Sequence, residues 1–124
     1  SGLCIQSLKN KPGIYSARLA KKYGSFLKAM KYILKKMEGK KNRKAIFVCS
    51  LSYKGYGGKI ISTEGRLEGK ISYKIVGKKG FGYDPIFIPI GKTITFGQMN
   101  KSKKIKMDHR FIAFQKLKKK IKIF

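Results

Sequence analysis

The sequence predicts one α/β domain, and three patterns carry that expectation. Apolar residues recur at helical spacing over 25–38, run without interruption over 45–49, and alternate with polar ones over 66–76. At 124 residues the chain is about the length of one domain, and a hydrophobic content of 42% is enough for a core.

In chain order, residues 1–6 are short and apolar and read as a strand end or a turn feeding a helix. Pro12-Gly13 marks a turn, with 14–18 leading out of it. Ser25 is a candidate N-cap for a helix reaching about residue 38. Phe26, Met30, Ile33 and Met37 fall at i, i+4, i+7 and i+11 and form its core stripe, with Leu27 and Leu34 beside them. Gly39 suits its C-cap. Residues 44–53 read as a buried strand, 53–58 as a flexible glycine-rich connection, and 59–63 as a candidate second strand. Over 66–76, Leu67, Ile71, Tyr73 and Ile75 share one face, opposite Glu68, Lys70, Ser72 and Lys74. Residues 95–99 suggest a short helix or turn. A final helix over 101–121 would place Phe111, Phe114, Leu117 and Ile121 along one side. Lys116, Lys118, Lys119, Lys120 and Lys122 crowd its end, where cations suit the helix dipole.

Charge narrows the class of partner. The 31 Lys+Arg against 5 Asp+Glu give a formal net charge of +26. Either a polyanionic partner explains this, or biased composition has spread solvated lysines over the whole surface. Cys4 and Cys49 lack metal-ligand spacing, and one histidine cannot complete a Cys/His zinc site. Two scattered cysteines point to a reduced, cytoplasmic setting. No apolar run approaches transmembrane length.

The stretch 77–85 is the chemical focus. Gly77, Gly80 and Gly82 surround Phe81, leaving its ring little neighbouring bulk, with Lys78 and Lys79 before it and His109-Arg110 downstream. An aromatic presented this way suits a flat anionic ligand such as a nucleotide. A glycine-rich hairpin with an ordinary core phenylalanine would read the same way.

Five stretches together decide between these readings. SGLCIQSL, PGIYSAR, EGRLEGKI, GFGYDPIF and a lysine with HR after four intervening residues stand in one order along nearly the whole chain. In this the sequence resembles the inosine triphosphate pyrophosphatases, also called XTP/dITP diphosphatases. The resemblance implies an α/β fold with a mixed β-sheet and flanking helices, the C-terminal portion of a two-lobed nucleotide pyrophosphatase. Residues 1–124 would then be a single incomplete domain with its N-terminal segment missing. The implied activity is hydrolysis of dITP, ITP or XTP to the monophosphate plus pyrophosphate, with Mg2+, by a homodimer. Implied substrate-binding residues are Ser1, Phe81, Gly82, Tyr83, Asp84, Lys104, His109 and Arg110, with Phe81 stacking on the purine. Hypoxanthine and xanthine carry an acceptor oxygen at C6 where adenine carries a donor, so donors such as Lys104 and Arg110 would disfavour adenine.

Two departures accompany the resemblance. Asp108 precedes His109 where the family has serine, and the family's catalytic acid would precede Ser1. No catalytic residue and no metal ligand is therefore expected among these residues. Glu38, Glu64, Glu68, Asp84 and Asp108 form no close carboxylate pair in the sequence. These residues alone are expected to be inactive. The runner-up is a small basic RNA-binding or ribosome-associated module. On the leading interpretation neither membrane nor nucleic acid is a partner, except through bulk positive charge.

Overall fold

A computed structural model describes residues 1–121. Its strands are β1 (Gly2–Ile5), β2 (Lys11–Gly13), β3 (Lys44–Lys54), β4 (Ile60–Ile71) and β5 (Phe87–Pro89). They form one sheet in the order β2-β1-β3-β4-β5, and each of these pairings is antiparallel. The helices are α1 (Ser16–Tyr23), α2 (Phe26–Lys36), α3 (Lys101–Lys104) and α4 (His109–Ile121).

The β3–β4 hairpin is the spine, paired from Lys44 opposite Lys70 to Lys54 opposite Ile60. Burial alternates along β3: Ala45, Phe47 and Cys49 face the core, while Ile46 and Val48 are half-buried on the other face. The uninterrupted apolar run is thus a two-sided strand with its drier side under the helices. Leu67 and Ile71 on β4 continue that inner side, as do Leu3 and Ile5 on β1 and Phe87 on β5. α2 closes the core with Ala29, Met30, Ile33 and Met37. Its N-cap is Ser25, whose Oγ accepts from Lys28 N at 3.1 Å. Phe26 and Leu27 are 40% and 49% exposed, so the stripe is narrower than the sequence suggests.

Several expected elements are redrawn. The two expected strands over 59–63 and 66–76 are one continuous strand, β4 (Ile60–Ile71), and 72–76 leave it. Tyr73 therefore lies 80% exposed, with the Arg43 guanidinium 4.2 Å from its ring centroid. Arg43 is what stops the strand there. Buried, it donates to Ile71 O (2.8 Å), Ser72 O (2.7 Å) and Met37 O (3.1 Å), tying the end of β4 to the end of α2. α2 ends at Lys36 with Met37 as its C-cap, two residues before Gly39. α1 was not expected at all. The final helix is broken at 105–108 into α3 and α4, because Asp108 caps α4 by accepting from Phe111 N at 2.8 Å. His109, Ala113 and Leu117 form the buried side of α4, while Phe114 is 51% exposed. Lys122 lies outside the described residues.

Candidate functional site

The loop between β4 and β5 is held by side-chain and backbone bonds to its main chain. Thr95 Oγ1 donates to Val76 O at 2.6 Å, and Lys79 N donates to Gly97 O at 2.7 Å. Asp84 Oδ2 accepts from Phe81 N at 2.9 Å. Gly80 lies at φ +74°, and a Cβ there would overlap Asp84 Oδ2. Glycine at 80 therefore lets the carboxylate close the turn that pushes Phe81 outward. Phe81 is 51% exposed.

Two cations lie over that ring: Lys104 Nζ is 4.0 Å from its centroid and Arg110 Cζ is 4.3 Å away. They differ in freedom. Arg110 is exposed, whereas Lys104 is 3% exposed. Its Nζ lies 2.8 Å from Asp84 Oδ2 and 3.9 Å from Asp108 Oδ2. A buried ammonium costs several kcal/mol of desolvation unless paired, and the two carboxylates supply the pairing. Burial pushes the Asp84 carboxyl up from its ordinary value, against the opposing pull of Lys104 and the Phe81 N–H.

His109 opens α4 and stacks on Phe47, with ring centroids 4.7 Å apart. Burial lowers its pKa to about 4; Arg110 and Lys104 add to this and Asp108 opposes it, so the ring is neutral at pH 7. Its buried Nδ1 has no hydrogen-bond partner among the described residues. Tyr83 is fixed by donating its hydroxyl proton to Ser16 O and by an edge-on contact with Phe26, and burial raises its pKa to about 12.

Open space adjoins these groups on two sides. A cavity of about 270 Å³ is lined by Ser1, Phe47, Phe81, Gly82, His109 and Arg110, among others. A second, of about 480 Å³, is bordered by Phe81, Lys104, Asp108, Arg110 and Phe111. All eight expected binding residues thus converge on one region. Asp84 and Tyr83, at 2% and 4% exposure, hold its frame. Phe47, Phe26 and Ser16 also line it but were not expected there from the sequence. Phe47 and Phe26 read as core residues and Ser16 as part of the PGIYSAR stretch, and neither signal hints at a cavity.

The carboxylates do not suit a divalent cation. Lys104 Nζ occupies the space between Asp84 and Asp108, Glu64 is paired with Arg66 at 3.1 Å, and no group of three or more His, Cys, Asp or Glu could hold a metal among the described residues.

Comparison with known proteins gives the family. The profile of the Ham1 family matches residues 1–120. The chain belongs to the Ham1 family. The dITP/XTP pyrophosphatase of Clostridium tetani is 38% identical over 124 residues, which are 100% of this chain and 62% of that protein. That of Caulobacter vibrioides is 41% identical over 120 residues, covering 95% of this chain and 62% of the relative. The structure of the Staphylococcus aureus Ham1 protein superposes with a TM-score of 0.91 at 34% identity, covering 98% of this chain and 63% of that one. This Ham1 chain therefore spans about 62% of the length of the curated relatives it matches.

Proposed function

We propose that this Ham1 chain is the base-recognising portion of a house-cleaning pyrophosphatase that converts dITP, ITP or XTP to the monophosphate and pyrophosphate. The observation that carries this reading is Phe81, half-exposed at the mouth of a cavity with Arg110 over its ring and neutral His109 nearby. A purine would stack on Phe81 by displacing the exposed cation, Arg110, whose guanidinium then has donors for the base's C6 oxygen. Base–aromatic stacking contributes about 1–3 kcal/mol per base in single-stranded nucleic-acid complexes. Its relatives' names support the substrate class. Ser1, Gly82 and His109 would line the ring's surroundings, while Tyr83, Asp84 and Lys104 hold the loop that presents it.

Magnesium and a homodimeric assembly belong to the same proposal through the resemblance of the motifs. The described carboxylates do not fit the metal, and this reading leaves the phosphate chemistry to the part of its relatives' length that the chain does not span. No helix among the described residues is long and apolar enough to cross a membrane.

The test is pyrophosphate release from ITP with magnesium, by the 124-residue chain and by a reconstruction extended ahead of Ser1 to the length of its relatives. The reconstruction should turn over ITP in preference to ATP, and the chain alone should not. Phe81→Ala in the reconstruction should raise KM for ITP about 10-fold or more, in line with the loss of one stacked base. An unchanged KM would remove the stacking role, and sustained turnover by the chain alone would place the chemistry within it.

A further inference from the structure

A second concavity lies on the far side of α1 and shares no lining residue with the two cavities around Phe81. It is a groove of about 720 Å³ between the turn after β1, β2 and the paired helices α1 and α2. Leu8, Leu19, Tyr32 and Ile33 form its floor. Lys9, Lys11, Arg18, Lys22 and Lys36 are exposed around its rim, and no Asp or Glu lines it. Ile14 and Tyr15, 87% and 55% exposed, stand at its lip.

The aromatic groups here are paired with cations. Arg18 Cζ lies 5.4 Å from the Tyr15 ring centroid, and Lys36 Nζ lies 5.7 Å from that of Tyr32. Tyr32 is braced from behind by stacking on Tyr23, with centroids 4.8 Å apart. An exposed aromatic beside positive charge, as Tyr15 is beside Arg18, is the arrangement that takes a nucleobase on its face and a phosphate at its edge.

From this juxtaposition we infer that the α1–α2 groove binds single-stranded nucleic acid, with an unpaired base stacking on Tyr15 and phosphates held by Arg18, Lys22 and Lys36. Charge complementarity selects the polyanion, because an all-cationic rim repels a second copy of this +26 chain. Concavity selects single strands over a bilayer, because a lipid surface needs a projecting apolar face whereas stacking needs a recess that admits separated bases. Duplex DNA offers phosphates but no free base face, and should bind only through bulk charge.

Bulk charge is the competing explanation, so the test holds total charge constant. Fluorescence anisotropy with a labelled oligo(dT) strand compares the 124-residue chain with two triple variants of equal charge. One is Arg18→Glu/Lys22→Glu/Lys36→Glu in the groove. The other is Lys44→Glu/Lys70→Glu/Lys92→Glu around the opposite sheet face, all of them exposed. The groove variant should weaken binding at least 10-fold more than the sheet-face variant. It should also flatten the dependence of log affinity on log salt by about two, from three lost phosphate contacts on a single strand. Tyr15→Ala, which leaves charge untouched, should weaken oligo(dT) binding several-fold without changing that slope. Equal losses in the two triples, or a Tyr15→Ala variant as tight as the parent, would overturn the proposal. So would equal affinity for a duplex of the same length, binding that follows anionic vesicles instead of oligo(dT), or a groove variant that changes only the oligomeric state.

Discussion

His109 links burial to pH. Its folded pKa of about 4 lies below the unfolded value of 6.5, so the folded state resists the proton that the unfolded chain accepts. The contribution is therefore complete above pH 6.5, falls as the pH drops from 6.5 to about 4, and changes no further below that. Its size is on the order of 3 kcal/mol. Urea unfolding at pH 7 and pH 4.5 should show this loss, and His109→Phe, which can still stack on Phe47, should remove most of it; equal pH sensitivity in both proteins would refute the assignment. Lys104 allows a sharper test of the neighbouring ion pair. Lys104→Met leaves Asp84 buried without its ammonium and should cost about 3–5 kcal/mol. Adding Asp84→Asn should restore part of that, because a neutral amide needs no counter-charge. If the double variant is no more stable than the single one, the cost came from packing and not from a stranded charge. For the same reason Arg110→Ala is the cleaner probe of base selectivity, since Arg110 is exposed and its loss strands no buried partner.

At the scale of elements, α4 carries His109 and Arg110, and its distance from β4 is set by Gly65. A Cβ there would overlap His109 O and Ala113 N, both backbone atoms. Gly65→Ala must push the helix off the sheet and should destabilise the fold by about 1–3 kcal/mol, as overpacking typically does. The same displacement would move Arg110 from Phe81, so ITP binding in the reconstruction should weaken as well; an unchanged melting temperature would show that the helix is not so closely seated. Asp108 acts at the start of the same helix. Asp108→Ala should cost more than the roughly 1 kcal/mol of the lost cap, because it also removes one of the two carboxylates beside buried Lys104, and Asp108→Ser should recover the cap alone. This helix also shows where the sequence was legible. Ser25 and the Met30–Ile33–Met37 spacing locate α2 correctly, since a cap and a 3.6-residue period are local signals. The break before α4 was hidden because Asp108 reads as one polar residue inside a lysine-rich helix until Phe111 N is seen to donate to it. The end of β4 was hidden for a non-local reason: alternation continues through Tyr73 and Ile75, but Arg43, far away in sequence, takes the carbonyls of Ile71 and Ser72. Convergence of the eight residues expected to bind substrate was foreseen only through the motifs. Spacing alone does not show that Lys104 is already committed to Asp84.

Over the whole molecule, the dominant feature is charge of one sign. Of five acidic residues, Asp84 and Asp108 are buried around Lys104 and Glu64 is paired with Arg66, which leaves Glu38 and Glu68 against an otherwise cationic surface. Such a surface opposes its own compaction, since folding brings lysines closer together than the unfolded chain does. Many of these lysines decorate the hairpin and α4, as with Lys116 Nζ donating to Glu64 O at 2.9 Å and Lys120 Nζ to Ser62 O at 3.2 Å. Carbonyl partners of this kind hold individual ammonium groups but cancel no net charge. The repulsion is long-ranged at low salt, where the Debye length is about 30 Å at 0.01 M, and it fades as that length shrinks to about 8 Å at 0.15 M. Thermal midpoints should therefore rise with sodium chloride by several degrees, with most of the gain below about 0.15 M, because about 1 kcal/mol corresponds to about 4–8 °C in a domain slightly smaller than this. Potassium chloride should act alike, whereas sucrose should give a shallower rise without that early saturation. A midpoint that stays flat or falls between 0.01 M and 0.15 M salt would mean that surface repulsion does not limit this fold, and that the lysines are spaced widely enough to be solvated independently.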